Sequence, residues 1–507
     1  VRVRDRELYE YDEVPAAAIL RPLDPTEHNM ERLNRLGRGA GIVYQTARVR
    51  GPLHRAAVEA ALRALTRHPA LRMRVARGPD GVLGFAETAS IPQLTWIDAR
   101  EPAREWPEHV EADMNAGAVP SHRGSAFRVF VFGAGDEHAI TLTAPHHVWD
   151  GISSVALMLE FLEQIAELRT LAPVMLRAVE SPFLSPCSAD QRARLQELAL
   201  EVTAWAAAEP VTRSNRRKHL SLALEKLEAE LLAEGDATLP VELLDVQRLL
   251  AQVQRSHLDA QHIVPDEDPG VPPERARRVR SGLFVDELGP DVVTGLSGAA
   301  RQRGVTLHGV FGGALLFAHA ARHWALSGTP DVPQLFPLAS PVNLRNQFHP
   351  PLADDDVRMA VDVALTVASV GPADTFWDVA AQFGACVTSE VRRRRALGSW
   401  FRTERRSMEL PLSGVPIPLL SNLGRIAAKT RYGDLELLEL HACMSTHSMF
   451  QIVMLIQTIG GAANLSYYHE LPTVSRDSMR RLAYTVRTLL ERVASGQSPL
   501  AMDALSA

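Results

Sequence analysis

Six consecutive residues, His146-His147-Val148-Trp149-Asp150-Gly151, bring two imidazoles, a carboxylate and a glycine close together along the chain. An imidazole titrates near neutral pH, so it can take a proton from an alcohol or an amine and later return it to a leaving group. A thioester is activated enough to be attacked by such a nucleophile, but water competes for it, so the base has to work in a dry place. His146 stands four positions before Asp150, and Gly151 permits a tight turn into the following segment. A plainer reading fits the same residues: two histidines near a turn, with Asp150 as a helix N-cap.

The flanking pattern places these residues at a strand-to-helix corner. Ala126–Phe132 and Ala139–Ala144 alternate like strands around the loop 133–137, and the second runs into His146. Beyond Gly151, residues Ile152, Val155, Leu159, Leu162 and Ala166 recur at helical spacing. Upstream, Gly41–Val49 is strand-like and Leu53–Thr66 helical. From about residue 280 the α/β character returns. Strands are expected at 281–286, 334–340, 359–367, 435–443, 450–456 and 463–468, with helices at 289–303, 306–324, 376–394 and 475–494. Between them, residues 185–265 are rich in Ala, Leu, Glu, Gln and Arg and suggest several amphipathic helices, and 264–278 reads as a linker.

A chain of 507 residues exceeds one ordinary core, so two lobes are expected. With 46% hydrophobic and 22% charged residues the composition is that of a soluble globular protein, and a net charge of −6 argues against general nucleic-acid binding. Cys187, Cys386 and Cys443 lie far apart, which points to neither a disulfide framework nor a cysteine zinc site and fits a reducing cytoplasm. The charged first residues do not read as a signal peptide, and no apolar stretch reads as a transmembrane segment. The histidines show no metal-ligand spacing, so no metal is expected.

The segment 144–153 resembles the HxxxDG signature of the chloramphenicol acetyltransferase-like superfamily, which includes peptide-synthetase condensation domains and bacterial alcohol or polyketide-associated acyltransferases. Four further stretches resemble that family in the same order: His68-Pro69-Ala70-Leu71-Arg72, Gly304-Val305-Thr306-Leu307, Pro341-Val342-Asn343-Leu344-Arg345, and the turn Ser421-Asn422-Leu423-Gly424-Arg425. Condensation domains usually carry HHxxxDG; here Pro145 occupies the first histidine position, so His146 corresponds to the base and His147 is an additional histidine with a structural reading.

The resemblance implies an α/β fold of two chloramphenicol acetyltransferase-like lobes, with mixed sheets flanked by helices: an N-terminal lobe over 1–184, a helical insertion and linker over 185–278, and a C-terminal lobe over 279–507. It implies His146 as general base midway along a passage between the lobes. Asp150 and the Gly151 corner would be held by an ion pair from Asp150 to Arg345. Ser445 and Thr446 are candidates for oxyanion or substrate contact, or else polar loop residues. Trp149 either packs or touches the acceptor, and Asn422 shapes the passage. Arg392, Arg393, Arg394 and Arg395, with Arg402, Arg405 and Arg406 nearby, form either a solvated helix face or a docking patch for coenzyme A phosphates or an acyl carrier protein.

The implied activity is transfer of an acyl group from an acyl-CoA or acyl carrier protein thioester to a small-molecule alcohol, less readily an amine, in specialised or lipid metabolism. No cofactor is bound; the coenzyme A or phosphopantetheine thioester enters as the donor substrate. A monomer is the default expectation. The alternatives are a free-standing peptide-synthetase-type condensation enzyme and a non-catalytic recruitment module.

Overall fold

The computed structural model describes residues 11–36, 39–179, 279–327, 334–348, 350–353, 355–397, 417–446 and 450–497. The anticipated helical insertion over 185–278 lies outside the described residues. The N-terminal half contributes β1 (Ile19–Pro22), α1 (Pro25–Leu36), β2 (Ile42–Arg50), α2 (Arg55–Leu65), β3 (Met73–Arg77), β4 (Leu83–Glu87), β5 (Gln93–Asp98), α3 (Pro102–Met114), β6 (Arg128–Ala134), β7 (Glu137–Pro145) and α4 (Gly151–Val179). The C-terminal half contributes β8 (Arg280–Leu288), α5 (Pro290–Gln302), α6 (Leu307–Ser327), β9 (Gln334–Asn343), β10 (Val361–Val370), α7 (Phe376–Leu397), β11 (Leu419–Arg425), β12 (Arg431–Tyr432), β13 (Leu435–Met444), β14 (Ile452–Ile459), β15 (Ala462–Leu471) and α8 (Arg476–Ala494).

These elements form two compact units, each built on a six-stranded mixed sheet, as the α/β reading expects. In the first unit the order is β12-β13-β2-β7-β6-β5, with a separate three-stranded sheet, β1-β4-β3. β6 and β7 close a hairpin through Gly135, whose φ of +61° suits the first position of a two-residue turn. β2 then pairs antiparallel with β7, from Ile42 opposite Pro145 to Arg50 opposite Glu137. The β-branched run of β2 stops at Gly51-Pro52, and the alanine- and leucine-rich α2 follows, burying Val58, Ala61, Leu62 and Leu65.

In the second unit the order is β10-β9-β11-β14-β15-β8. Its helices bury a core that includes Phe311 and Phe317 of α6, Phe376 of α7, and Leu482, Val486 and Leu489 of α8 against Phe336, Ile456 and Tyr467 of the strands. Each large side chain so enclosed stabilises the unit by about 1.5–3 kcal/mol. Ser475 caps α8 by accepting the Ser478 N–H, and the apolar face of that helix recurs at three- and four-residue steps. Among the described residues no single helix is long and apolar enough to cross a membrane.

The division at residue 279 needs a correction. Gln347–Ala360 and Ala427–Ala442 belong to the first unit although they follow the start of the second in sequence. The reason is strand pairing: β13 lies beside β2, and the Gln45 side-chain amide donates to the His441 carbonyl at 3.2 Å. Gly51 is a close approach at this join. Its φ is +128°, and a Cβ there would lie 2.3 Å from the Asp434 carbonyl oxygen. Gly51→Ala should therefore destabilise the first unit by about 2–3 kcal/mol. Chemical denaturation followed by far-UV circular dichroism measures this, and an unchanged midpoint would show that the approach is not tight.

Candidate active site

His146 follows the last ladder residue of β7. Its own N–H donates to the Gly41 carbonyl at 2.7 Å, which extends the β2–β7 pairing one step past Pro145. The ring is then fixed from the other side, because Nδ1 lies 2.9 Å from the Trp149 carbonyl oxygen. A carbonyl can only accept, so Nδ1 carries the proton and the neutral ring presents the Nε2 lone pair. Burial holds the His146 imidazole below its ordinary pKa, which keeps Nε2 unprotonated at neutral pH.

Trp149 is fully buried, donates its indole N–H to the Ala144 carbonyl at 3.0 Å, and meets Phe127 edge-on at 5.0 Å between centroids. Of its two sequence readings the structure displays the packing one. His147 points away from its neighbour's task. It is fully buried, stacks on Phe85, and has Nδ1 3.3 Å from Glu31 Oε2.

Asp150 is buried and caps α4: its Oδ1 accepts the Ser153 N–H at 2.7 Å and the Ser153 hydroxyl at 2.8 Å. Its Oδ2 accepts the Ala360 N–H at 2.9 Å. Gly151 is the first helical residue after the cap. Ser153 also bonds the returning 356–360 segment, with its hydroxyl 2.7 Å from the Arg358 carbonyl and the Arg358 N–H 3.0 Å from Ser153 Oγ. Neither Ser153 nor this segment was singled out in the sequence, since their role depends on backbone groups that no side-chain motif encodes.

A second group escaped sequence reading. The face of α1 that carries Glu27, Glu31 and Asn34 is buried and polar. Asp24 and Glu27 exchange side-chain to backbone hydrogen bonds of 2.9 and 3.0 Å, a capping box with Pro25 at the first helical position. Glu27 also takes a two-pronged pair from Arg21 at 2.6 Å on each arm, and Glu31 accepts from Tyr11 and Ser121. The Arg358 guanidinium reaches Asp24 at 3.6 Å and lies over the Phe348 ring. Burial and the neighbouring Glu27 raise Asp24 to about 6. The D-x-x-E spacing with its proline was the available sign in the sequence.

The remaining candidates fall in the second unit. Arg345 is 1% exposed, and its N–H donates to Asn343 Oδ1 at 2.9 Å. Ser445 and Thr446 are fully buried, and the Thr446 N–H donates to Ser281 Oγ at 2.9 Å, with the two hydroxyls 3.2 Å apart. Thr446 thus fastens the chain after β13 to β8. The SNLG stretch is not a free turn: it lies on β11, where the Asn422 side chain accepts the Gly424 N–H at 2.9 Å and Gly424 has φ +74°. This local loop of hydrogen bonding coincides with the register shift between Asn422 and Arg425. Arg392 is exposed on α7, while the side chains of Arg393, Arg394 and Arg395, and all of Arg402, Arg405 and Arg406, lie outside the described residues. Among the described residues no group of three histidine, cysteine or acidic side chains could hold a metal ion.

The chain is similar over 94% of its length, and 99% of the other, to polyketide synthase associated protein 5 from Mycobacterium tuberculosis, with TM-score 0.59 and 15% identity. It is also similar to the first condensation domain of the calcium-dependent antibiotic synthetase, solved with a substrate analogue, over 95% of this chain and 98% of that one, with TM-score 0.56 and 17% identity. The fold is that of the condensation domains. A variant starter condensation domain of rhizomide synthetase, in complex with C8-CoA and Leu-SNAC, matches over 96% of this chain and 97% of that one, with TM-score 0.54 and 12% identity. Residues 287–466 match the family model for the C-terminus of phthiocerol/phthiodiolone dimycocerosyl transferase. No curated protein sequence matches the chain. Family match and structural neighbours agree with the resemblance to the chloramphenicol acetyltransferase-like superfamily drawn from the motifs.

A depressed histidine pKa has a sign that can be checked. The fold favours the neutral ring, so above pH 6.5 it costs nothing, and as pH falls below 6.5 the unfolded chain takes up protons first. His146 and His147 share this depression through burial, and burial drives His308 to about 4 and His469 to about 3. Stability should therefore decline steadily from pH 6.5 towards 4. A nuclear magnetic resonance titration should place the His146 midpoint below 6.5. A midpoint above 6.5 would contradict the assigned environment.

Proposed function

We propose that this protein is an acyltransferase that moves an acyl group from a coenzyme A or phosphopantetheine thioester to an alcohol, less readily to an amine, in specialised or lipid metabolism. The carrying observation is the His146 Nδ1 to Trp149 carbonyl hydrogen bond, which leaves Nε2 as an unprotonated base. The family match over 287–466, to a transferase, and the polyketide-associated and condensation-domain neighbours support acyl transfer as the reaction class.

In this reading Nε2 of His146 takes the acceptor's proton as its oxygen attacks the thioester carbonyl. The carbonyl electron pair moves onto oxygen as the tetrahedral intermediate forms, then returns and breaks the carbon–sulfur bond. The leaving thiolate takes the proton from Nε2, and the ring is restored. The imidazolium formed midway keeps Nδ1–H on the Trp149 carbonyl, so the ring need not turn between the two transfers. No acyl-enzyme forms. The condensation-domain neighbours also favour a second reading, a free-standing condensation enzyme fed by carrier proteins. Turnover of acyl-CoA with no carrier present supports the first over the second.

His146→Ala should lower kcat about 10²–10⁴-fold while the far-UV spectrum and unfolding midpoint stay close to those of the parent. Retained turnover in that variant would refute the base assignment.

A further inference from the structure

The corner residues are held by a chain of contacts that ends in a charge cluster well away in sequence. Asp150 Oδ2 accepts from Ala360, and Ser153 Oγ, beside the Arg358 carbonyl, accepts the Arg358 N–H. The Arg358 side chain leaves this segment for Asp24 at 3.6 Å, with the Phe348 ring beneath it. Asp24 is itself locked to Glu27 by the capping box, and Glu27 to Arg21 by two hydrogen bonds. The Glu27 side chain is fully buried, those of Arg358 and Arg21 are mostly so, and that of Asp24 is 35% exposed. Buried charges in mutual contact resist displacement, because moving one leaves the others unpaired. Trp149, whose carbonyl holds His146, directly precedes Asp150 in the same turn.

We propose that Arg358 is a positioning residue for the base: its guanidinium, anchored on Asp24 at the start of α1, fixes the 356–360 backbone that holds Asp150 and Ser153, and so fixes the Trp149 carbonyl against His146 Nδ1. This rests on the reading of His146 as the base. It assigns the buried acidic end of α1 a task in catalysis that no contact with substrate would reveal.

The test compares Arg358→Met, Arg358→Lys and Asp24→Asn with the parent chain. Asp24→Asn keeps an oxygen for the α1 cap and removes only the charge, so it decides the matter should Arg358→Met fail to fold. Two readouts are taken. The first is steady-state transfer from an acyl-CoA to an alcohol. The second is the ¹⁵N signature of the His146 side chain in long-range correlation spectra, assigned by its loss in His146→Ala.

The expected result is a fall in kcat of about ten- to a hundredfold for Arg358→Met, with both KM values within about twofold. The fixed Nδ1–H signature should give way to mixed tautomers. Asp24→Asn should move both readouts in the same direction, and Arg358→Lys should restore part of each. Unchanged kcat and an unchanged imidazole signature in folded Asp24→Asn and Arg358→Met would overturn the proposal. So would a change in KM alone. If the parent chain transfers no acyl group yet the imidazole signature responds to these variants, the positioning stands and the acyltransferase reading falls.

Discussion

One hydrogen bond fixes the form of the histidine at the strand-to-helix corner. By giving its Nδ1 proton to the Trp149 carbonyl, His146 is left with a single unprotonated nitrogen and a single orientation. That bond can form only if residues 146 and 149 lie on the same tight turn, and the turn survives only if its far end is held. Asp150 holds it by capping α4 through Ser153 and by taking the Ala360 N–H. The near end is held by the β2–β7 ladder, which continues one residue past Pro145 through the His146 N–H. The orientation of this imidazole therefore needs a sheet on one side, a helix on the other and a returning segment across the gap.

The returning segment explains why the first unit is not a simple stretch of sequence. Residues Gln347–Ala360 bring the backbone that Asp150 and Ser153 require, and Ala427–Ala442 bring most of an additional strand to the sheet beside β2. The open edge of β2 would otherwise expose a row of unpaired N–H and C=O groups. Gly51 permits a close approach at this join because no side chain could stand there. The strand-to-helix corner and the integrity of the first sheet thus draw on the C-terminal half of the chain.

Much of this was legible in the order of residues. The strand-to-helix corner follows from the alternation of Ala139–Ala144 and the helical recurrence after Gly151, both strong local patterns. The strands β6, β7, β14 and β15 and the helices α5, α6 and α8 announced themselves in the same way. The α1 helix did not, because its buried face is Glu27, Glu31 and Asn34, and a search for apolar periodicity passes over it. The SNLG stretch read as a turn through its family resemblance; Asn422 does make a local hydrogen-bonded loop, but within the span of a strand.

The amino-acid sequence alone determined which imidazole stands four residues before the aspartate, the α/β class, and the motifs that align with the chloramphenicol acetyltransferase-like superfamily. Those depend on side-chain type at short range, where spacing and structure are directly linked. Only the tertiary structure decided which ring nitrogen is free, that Trp149 spends its indole N–H on packing, and that Arg358 and Asp24 stand behind the corner. These depend on carbonyls and N–H groups that every residue carries alike. Their partners are set by where the chain returns in space, a choice made by the packing of the whole unit.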